Sequence, residues 1–279
     1  KVPFVLEVRD LWPRTLVDLG GLSRWHPLVW LFGALERGLY RRADRIVTLL
    51  PHAEQHIARV SGRPVQVTWI PNGVDLGLPR QPSSLAPVVE AARRDGAFVL
   101  LYAGAHGPAN ALDAILDAAA LLERRRPGRF RLVFVGDGHD KARLQRRAAE
   151  EGLGSVRFLD PIPKAEVHDL VSRVDGLIVN MHRGQLYRFG ISFNKLYDYL
   201  AAGRPIIAGT DAANDPVADA GAGITVPADD AEALASAVER LEALPPSERS
   251  AMGERGRTYV EEHHDMERLA QRLEGVLRS

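Results

Sequence analysis

A lysine and an aspartate three residues apart follow a polar loop in the segment RFGISFNKLYDYLAAGRPII, residues 188–207. The pattern predicts a loop, a helix from Phe193 to Ala202, and a Gly-Arg-Pro turn that enters a buried strand. Lys195 and Asp198 would project from one face of this helix, and Ser192 would cap its first turn. A cation near a helix amino terminus and a carboxylate one turn deeper could hold a diphosphate and a ribose. The alternative is an amphipathic surface helix that carries a chance ion pair.

Glycine-containing turns follow two other predicted strands, at residues 104–110 and 136–138. Backbone amides at such turns can approach a phosphate at the positive end of a helix. The first turn, GAHGPAN, matches neither the dinucleotide pattern G-x-G-x-x-G nor the P-loop with its lysine. NAD binding and ATP hydrolysis therefore lose support, whereas a diphosphate ligand does not. For the second turn, GDG, a simple chain reversal is the alternative to ligand binding.

Two more segments are predicted to lie at the carboxyl ends of strands. Residues 160–163 end the strand after the GDG turn, and Arg9 and Asp10 follow the first strand of the chain. Because the carboxyl ends of parallel strands meet at one edge, the three loops of residues 104–163 should line one crevice with residues 188–207. Arg9 and Asp10 are candidates for a site at the end of their own strand. The alternative is an Arg-Asp ion pair that closes the strand end.

His52 and His56 are spaced as i and i+4 in a predicted helix, with Glu54 between them. Such a pair could bind a metal ion, but the zinc-protease pattern places glutamate directly after the first histidine, where this chain has Ala53. The favoured interpretation is a pair of partly exposed helix histidines, and no metal is expected.

Residues 25–42, WHPLVWLFGALERGLYRR, form a predicted amphipathic helix with aromatic residues on one side and arginines at its end. A helix of this kind could rest on an anionic membrane surface. The commoner alternative is a helix that packs on a protein core and carries cations at its carboxyl terminus.

Composition limits the classes of protein that remain. A chain of 279 residues is large for one core, so two domains are expected. The 36 basic and 36 acidic residues balance, which argues against a dedicated nucleic-acid binder, and the absence of cysteine excludes disulfides and cysteine-ligated zinc. The absence of cysteine also fits a cytoplasmic location, which is the expected one. No apolar run is long enough to span a membrane, and no signal peptide is visible. Lys1 directly precedes the strand-like VPFVLEV, and we therefore expect an N-terminal portion to be missing.

Strands alternate with helices along the chain, which predicts parallel sheets covered by helices. The strands are predicted at residues 2–8, 45–50, 65–70, 98–103, 131–136, 155–159, 176–180, 205–208 and 224–226. The helices after residue 96 are predicted at 110–125, 141–151, 164–173, 193–202, 215–220, 229–244, 247–263 and 266–277. A capping box of Asp229 and Glu232 is expected to open the helix at 229–244. A Pro-rich tract near residues 78–87 reads as an interdomain linker.

Several ordered motifs carry a resemblance that covers nearly the whole chain. They are IPNGVD at 70–75, YAGAHGPANALD at 102–113, FVGDG at 134–138 and YRFGISFNKLYDYLAAGRPII at 187–207. Together they resemble a retaining glycosyltransferase of family 4. The EVRDLWP segment at 7–13 is similar to the branch that builds bacterial capsule, O-antigen and exopolysaccharide chains.

The resemblance implies the α/β GT-B fold, in which two Rossmann-like domains with parallel sheets face each other across a cleft. Residues 1–80 would form a partial, acceptor-side N-terminal domain and residues 81–95 a linker. Residues 96–264 would form the donor domain, and residues 265–279 a final helix that crosses back to the N-terminal domain.

The resemblance also implies roles for individual residues. Lys195 and Arg188 would hold the donor diphosphate, Asp198 the ribose, and backbone groups of Asp160 to Ile162 the base. The expected donor-binding set is Gly104, His106, Gly107, Asn110, Gly136, Asp160, Ile162, Arg183, Gly190, Ile191, Ser192, Asn194 and Asp198. The expected catalytic residues are Lys195, Arg188 and Asp10, with Arg9 and Asp10 on the acceptor side.

This chain departs from the family pattern at two places. The family commonly has two glutamates eight positions apart, and here Gly190 and Asp198 stand at those positions. Backbone amides of residues 190–192 are expected to replace the absent sugar-contacting carboxylate. The common Arg and Lys after the first donor-domain strand are also missing, with His106 and Asn110 as the nearest polar residues, so charge neutralisation would fall to Arg188, Lys195 and Arg183.

The implied function is transfer of a hexose or N-acetylhexosamine from a nucleoside diphosphate to a glycan or polyprenyl-diphosphate-linked acceptor in surface polysaccharide synthesis. UDP is the expected nucleotide, and no metal or other cofactor is expected. Retention of configuration would follow from attack on the same face as the leaving phosphate. Two alternatives stay open: a nucleotide-sugar-binding fragment or subunit that a separate chain completes, and a GT-B sugar-nucleotide epimerase.

Overall fold

A computed structural model describes residues 2–18 and 20–278. The predicted domain limits at residues 1 and 279 lie outside this part. The N-terminal sheet has three parallel strands in the order β1-β2-β3. Its strands are β1 Val5–Val8, β2 Arg45–Thr48 and β3 Gln66–Trp69, and its helices are α1 Arg14–Asp18, α2 Pro27–Arg42 and α3 Glu54–Ser61. Among the described residues, β1 pairs only with β2.

The C-terminal sheet has six parallel strands in the order β6-β5-β4-β7-β8-β9. The strands are β4 Phe98–Ala103, β5 Phe130–Val135, β6 Val156–Leu159, β7 Gly176–Asn180, β8 Ile206–Gly209 and β9 Gly223–Val226. The chain winds outward from β4 in one direction and from β7 in the other, and Leu100 of β4 lies opposite Gly176 of β7. A crevice forms at such a reversal, outside the carboxyl ends of the strands.

Helices cover both faces of the six-stranded sheet. They are α4 Ala86–Arg94, α5 Leu112–Arg125, α6 Lys141–Glu150, α7 Lys164–Val171, α8 Asn194–Ala201, α9 Pro216–Ala220, α10 Ala231–Ala243, α11 Pro246–His263 and α12 Met266–Arg278. Short 3-10 turns occur at Pro108–Asn110 and Gln185–Phe189. On one face, Leu196 and Leu200 of α8 pack with Leu101, whereas Ile115 and Leu116 of α5 pack on the other. The central strands β4, β7 and β8 are almost wholly apolar because both of their faces are covered.

Two local predictions need correction. The segment predicted as a linker contains α4, and the residues before it are bound to α7: the Gln81 amide donates to Ala165 O at 2.9 Å and the Ser83 amide to Asp169 Oδ2 at 2.8 Å. The capping box at Asp229 is wrong by one residue. Asp230 is the N-cap of α10 and accepts from the Ala233 amide, whereas Asp229 has a left-handed backbone with φ of 56°.

The chain passes between the two sheets twice, and the two passages touch. Val74 pairs with Asp265, and the ring of His264 donates through Nδ1 to the carbonyl of Asn72 at 3.0 Å. Helix α12 then lies on the N-terminal sheet, where Leu269 is buried against β2 and Arg272 donates to Trp69 O at 2.7 Å. The last helix therefore belongs structurally to the first sheet.

Helix α2 buries only Val29 and Tyr40. Its exposed apolar residues, with Trp25 ahead of it, are Trp25, Leu28, Trp30, Leu31, Leu35 and Leu39. The core-packing interpretation therefore holds for only one edge of this helix. None of the helices in residues 2–18 and 20–278 combines the length and apolar character that a bilayer span requires.

Candidate functional site

The loops after β4 and β5 form one wall of the crevice, and their backbones lie against each other. The Gly104 amide donates to Val135 O at 2.9 Å, and the His106 amide donates to Asp137 O at 2.8 Å. Gly136 permits this approach because a Cβ atom there would collide with the Gly104 carbonyl. Gly136, a predicted donor ligand, therefore supports the neighbouring loop.

Lys195 lies at the centre of the crevice, in the first turn of α8. Its Nζ donates to the Tyr102 hydroxyl at 2.8 Å and to Asn110 Oδ1, and it lies 4.6 Å from the centroid of the Tyr102 ring. Tyr102 Oη and Asn110 Nδ2 in turn donate to Ala105 O at 2.8 and 2.9 Å. The two side chains that hold the ammonium are thus fixed on the glycine-containing turn.

The ammonium of Lys195 has neutral side-chain partners, and burial lowers its pKa to about 8. Gly104 leaves space beside it, since a Cβ atom there would lie only 3.4 Å from Nζ. A half-buried cation without a carboxylate partner favours an anionic ligand, because the anion would supply the opposite charge that the protein does not. This arrangement can stabilise a phosphate or diphosphate.

Asp198 lies one turn deeper in α8 and binds a different cation. Its Oδ2 accepts from Lys164 Nζ at 2.5 Å, so the chance ion pair between Lys195 and Asp198 is not formed. Asn194 and Asp198 line a cavity of about 360 Å³ between α7, α8 and the first interdomain passage. The Asp198 carboxylate thus faces open space as well as Lys164.

The prediction that Ser192 caps α8 is wrong. The N-cap residue is Phe193, which makes no capping hydrogen bond. Ser192 Oγ instead accepts from the Asn72 amide at 2.8 Å, and Asn72 Nδ2 donates to Ser192 O. Ser192 thereby joins the donor-side loop to the IPNGVD passage.

The amides of Gly190 and Ile191 are already engaged, which contradicts their expected role as sugar ligands. Gly190 N donates to Tyr187 O at 3.0 Å, and Ile191 N donates to Asn214 Oδ1 at 2.7 Å. The backbone of Gly190 has φ of 97°, and a Cβ atom there would lie 2.5 Å from Pro51 Cδ. A glutamate therefore does not fit where the family commonly has one.

His106 is completely buried and cannot contact a ligand in this conformation. Its ring lies among Tyr102, Phe134 and Phe158, with centroid distances of 5.9 to 6.1 Å, and neither ring nitrogen has a hydrogen-bond partner. Burial lowers the pKa of this histidine, which favours the neutral ring. The predicted donor ligand is a core residue.

Three other predicted residues lie at the outer parts of the crevice. Arg183 Nε donates to Ala228 O at 2.9 Å and lies 3.7 Å from Asp211 Oδ2. Asp160 is exposed and accepts from Lys141 Nζ at 2.8 Å, and this ammonium lowers the pKa of the carboxyl. Ile162 packs against the core beneath it.

Arg188 lies on the opposite wall, next to the N-terminal sheet. Its guanidinium is 4.7 Å from the Phe189 ring centroid, and its Nη1 donates to Gln185 Oε1 at 3.3 Å. None of the contacts described for residues 2–18 and 20–278 joins Arg188 to Lys195. Arg9 and Asp10 are exposed just beyond β1, and within the same ranges they form no ion pair with each other.

The histidines considered for metal binding lie just before α3 and within it. His52 precedes α3, and Nε2 of His56 within it is hydrogen-bonded to Glu36 Oε1 at 3.1 Å. The described part of the chain contains no group of three His, Asp or Glu side chains that could hold a metal ion.

Two family models match the sequence, one over each of the two parts of the chain that contain a sheet. A model described as Glycosyl transferases group 1 matches residues 97–243, and one described as Glycosyl transferase 4-like domain matches residues 1–73. This chain belongs to the group 1 glycosyltransferases.

Individual members of the group share a modest identity with the chain. A probable glycosyltransferase WbjE of Pseudomonas aeruginosa is 24% identical over 242 residues, 85% of this chain and 59% of that protein. A D-inositol 3-phosphate glycosyltransferase of Saccharomonospora viridis is 31% identical over 238 residues, 81% of this chain and 53% of that protein. The chain thus spans a little over half the length of these curated relatives.

Solved structures of this class share the fold. Alr3699/HepE of Anabaena, in complex with UDP and glucose, has a TM-score of 0.76 at 16% identity. The match covers 99% of this chain and 72% of the Alr3699/HepE chain. Sucrose-phosphate synthase of Thermosynechococcus elongatus has a TM-score of 0.71 at 23% identity, with coverages of 89% and 61%. The prediction of an α/β GT-B fold with parallel sheets is confirmed.

In this group 1 glycosyltransferase, sequence reasoning missed Tyr102 and Asn214, which hold Lys195 and Ile191. Tyr102 did carry a signal, because it is the one polar side chain in the strand FVLLYA and stands two residues before Gly104. Asn214 carried none, since it lies 23 residues beyond its partner in an ordinary loop.

Proposed function

We propose that this chain transfers a sugar from a nucleoside diphosphate to an acceptor hydroxyl, with retention of configuration and without a metal ion. The observation that carries the proposal is the half-buried Lys195 ammonium, which has neutral partners and an adjacent glycine at the carboxyl end of β4. A donor diphosphate placed here would meet the ammonium and the amino terminus of α8 together.

The rest of the donor would extend along α8 and the neighbouring loops. Asp198 is placed to accept from ribose hydroxyls, at the rim of the cavity that it shares with Asn194. The base would lie near Asp160 to Ile162, and the sugar near Gly104 and Gly107. Uridine is the proposed base, supported by the structural neighbour that binds UDP and glucose.

The proposed reaction needs no protein nucleophile. The bond between the anomeric carbon and the diphosphate oxygen breaks, and its electron pair stays on the diphosphate. The acceptor oxygen attacks from the same face and gives its proton to a departing phosphate oxygen. Lys195 and the α8 amides stabilise the charge that grows on the leaving group, which is the main electrostatic contribution that fixed donors make. Asp10 is proposed to orient the acceptor.

The proposed acceptor is a glycan or a lipid-linked glycan in surface polysaccharide synthesis. Relatives of the chain include a D-inositol 3-phosphate glycosyltransferase and a phosphatidyl-myo-inositol mannosyltransferase, whose acceptors by name carry a phosphate. The exposed apolar side of α2, with Arg37, Arg41 and Arg42 beside it, would hold the protein at the inner face of a membrane. A separate chain that pairs with β1 is a second proposed partner.

Replacement of Lys195 tests the donor site. We expect Lys195→Ala to reduce turnover by about 100-fold or more, because a fixed cation in a buried site contributes that much to a charged transition state. Arg249→Ala is the matched control, since Arg249 lies over Phe98 at the other end of β4, 5.4 Å from its ring centroid. Circular dichroism would show whether the Lys195→Ala protein is folded. Wild-type turnover in the folded variant would contradict the proposed role of Lys195 in the donor site.

Binding and transfer must be measured together to separate the alternatives. Calorimetric titration with UDP that shows binding, in a preparation that transfers no sugar to any acceptor, would favour a binding module completed by another chain. Conversion of the nucleotide sugar in the absence of acceptor would favour an epimerase. Transfer that requires an acceptor supports the proposal.

A further inference from the structure

Two arginines from different parts of the fold converge on one buried aromatic ring. Arg14, at the start of α1, has its Cζ 5.4 Å from the centroid of Phe189, and Arg188 has its Cζ 4.7 Å from the same centroid. Arg14 follows β1 and the Arg9-Asp10 pair, whereas Arg188 belongs to the 3-10 turn before α8. The cleft between the two sheets thus carries two guanidinium groups on one aromatic ring.

These guanidinium groups lack acidic partners. Within residues 2–18 and 20–278, neither Arg14 nor Arg188 forms an ion pair. The acidic residues that raise the pKa of Arg14 are Asp18 and Glu36, and Glu36 is hydrogen-bonded to His56. Burial and then the charge of Arg188 lower the pKa of Arg14. Asp18 and Glu36 act on Arg14 only through space, and within the described residues no direct ion pair neutralises either guanidinium, which favours an anionic ligand.

The ring beneath the arginines is fixed. Phe189 and Leu186 are buried in the same hydrophobic cluster as Val8 and Leu11 of the N-terminal part. The Phe189 carbonyl accepts from the His52 amide at 3.1 Å. The two guanidinium groups therefore rest on a shared rigid support rather than on mobile loops, which reduces the ordering cost of binding a ligand.

We propose that Arg14 and Arg188 bind a phosphate or diphosphate group of the acceptor, at a site separate from that of Lys195. This inference rests on the proposed function for the identity of the ligand, but not for the existence of the anion site. Planar guanidinium groups match phosphate oxygens in paired hydrogen bonds, and two of them suit a diphosphate. Arg188 is thereby moved from the donor to the acceptor side of the cleft.

Binding of inorganic pyrophosphate tests the site without any transfer reaction. The background is Lys195→Ala, which removes the cation of the donor site. We expect pyrophosphate to bind this variant in calorimetry, and the affinity to fall about tenfold or more when Arg14→Ala or Arg188→Ala is added. Arg24→Ala is the matched control, because Arg24 lies over Trp25 in the same way, 4.9 Å from the ring centroid, on the N-terminal part.

Each outcome has a defined meaning. If the Arg14→Ala and Arg188→Ala variants bind pyrophosphate as tightly as the Lys195→Ala background, the proposed site does not exist. Loss in all three to the same degree indicates a general effect of net charge and also overturns it. Failure of the donor proposal would be seen separately, as absent UDP binding in the parent chain.

Steady-state kinetics distinguish the two possible sources of the phosphate. An acceptor phosphate predicts that Arg14→Ala raises the KM for a diphosphate-linked acceptor about tenfold while the KM for the nucleotide sugar and the Kd for UDP stay within twofold. A rise confined to the KM for the nucleotide sugar would show that the arginines hold the donor, and would overturn the assignment to the acceptor.

Discussion

At the residue scale, the properties of Lys195 follow from what surrounds it. The tyrosine and asparagine that hold its ammonium are neutral, and burial brings its pKa to about 8. An acidic partner would have raised the pKa and would compete with a phosphate for the same ammonium. Because Tyr102 and Asn110 are neutral, a phosphate can replace them as partners of the Lys195 ammonium.

The lowered pKa of Lys195 predicts a pH dependence of donor binding. The protonated amine binds phosphate, so the Kd for UDP should be nearly constant between about pH 7 and 7.5 and should rise as the pH passes 8, by up to about tenfold per unit. Calorimetry in buffers of matched ionic strength measures this. Lys195→Arg should shift the rise out of the measurable range, and an unchanged profile in that variant would assign the titration to another group.

Gly190 predicts a second effect at this scale. Gly190→Ala should reduce the free energy of unfolding by about 1–3 kcal/mol, because the added Cβ would meet Pro51 and the backbone has a positive φ. Gly190→Glu should not restore the family's carboxylate function and should be at least as unstable. Urea denaturation measures both, with Gly38→Ala as a control that has open space around it. A stable, more active Gly190→Glu enzyme would contradict this account.

At the element scale, the strands could be predicted from the sequence. The contacts between residues far apart in the chain could not. The nine strands lie within about two residues of the apolar runs that predicted them, apart from the first, which begins later. Ser192 had the right residue type for a cap, but Asn72, 120 residues earlier in the chain, takes its hydroxyl. The burial of His106 and the engagement of the Gly190 amide also depend on contacts that no local pattern contains.

The passages between the sheets predict a pH dependence of stability. His264 is buried against Tyr197, with ring centroids 4.0 Å apart, and burial lowers its pKa to about 4. The unfolded chain takes up the proton near pH 6.5 and the folded chain only near 4. The stabilisation is therefore complete above pH 6.5 and is lost as the pH falls toward 4, by up to about 3 kcal/mol.

Urea denaturation at pH 7 and pH 5 measures this loss. His106 and His168 also have lowered pKa values, so they share the decrease in the native protein. His264→Gln should reduce the difference between the two pH values, whereas His263→Gln, an exposed neighbour, should not. If the free energy of unfolding changes equally between pH 7 and pH 5 in both variants, His264 does not contribute to the pH dependence.

At the scale of the whole molecule, the chain presents one markedly apolar surface. Trp25 and Trp30 are 67% and 63% exposed, and Leu31, Leu35 and Leu39 continue this surface along α2. Patches of this kind mark contact with a membrane or another protein. The arginines at the end of the helix favour an anionic surface.

Vesicle binding tests the membrane proposal. The protein should sediment with vesicles that contain anionic lipid, with a blue shift of its tryptophan fluorescence, and binding should fall at raised salt. Leu31→Glu with Leu35→Glu should abolish the effect, whereas Leu277→Glu, an exposed leucine in α12, should not. Equal sedimentation of both variants would place the contact elsewhere.

The position of α12 has a consequence for how the molecule is made. Leu269 and Arg272 complete the packing around β2 and β3, which are synthesised some 200 residues earlier. Until α12 is synthesised, Val47 and Ile70 therefore lack the apolar partner that Leu269 provides. The six-stranded sheet has all of its strands between residues 98 and 226, so its strand pairing does not depend on α12.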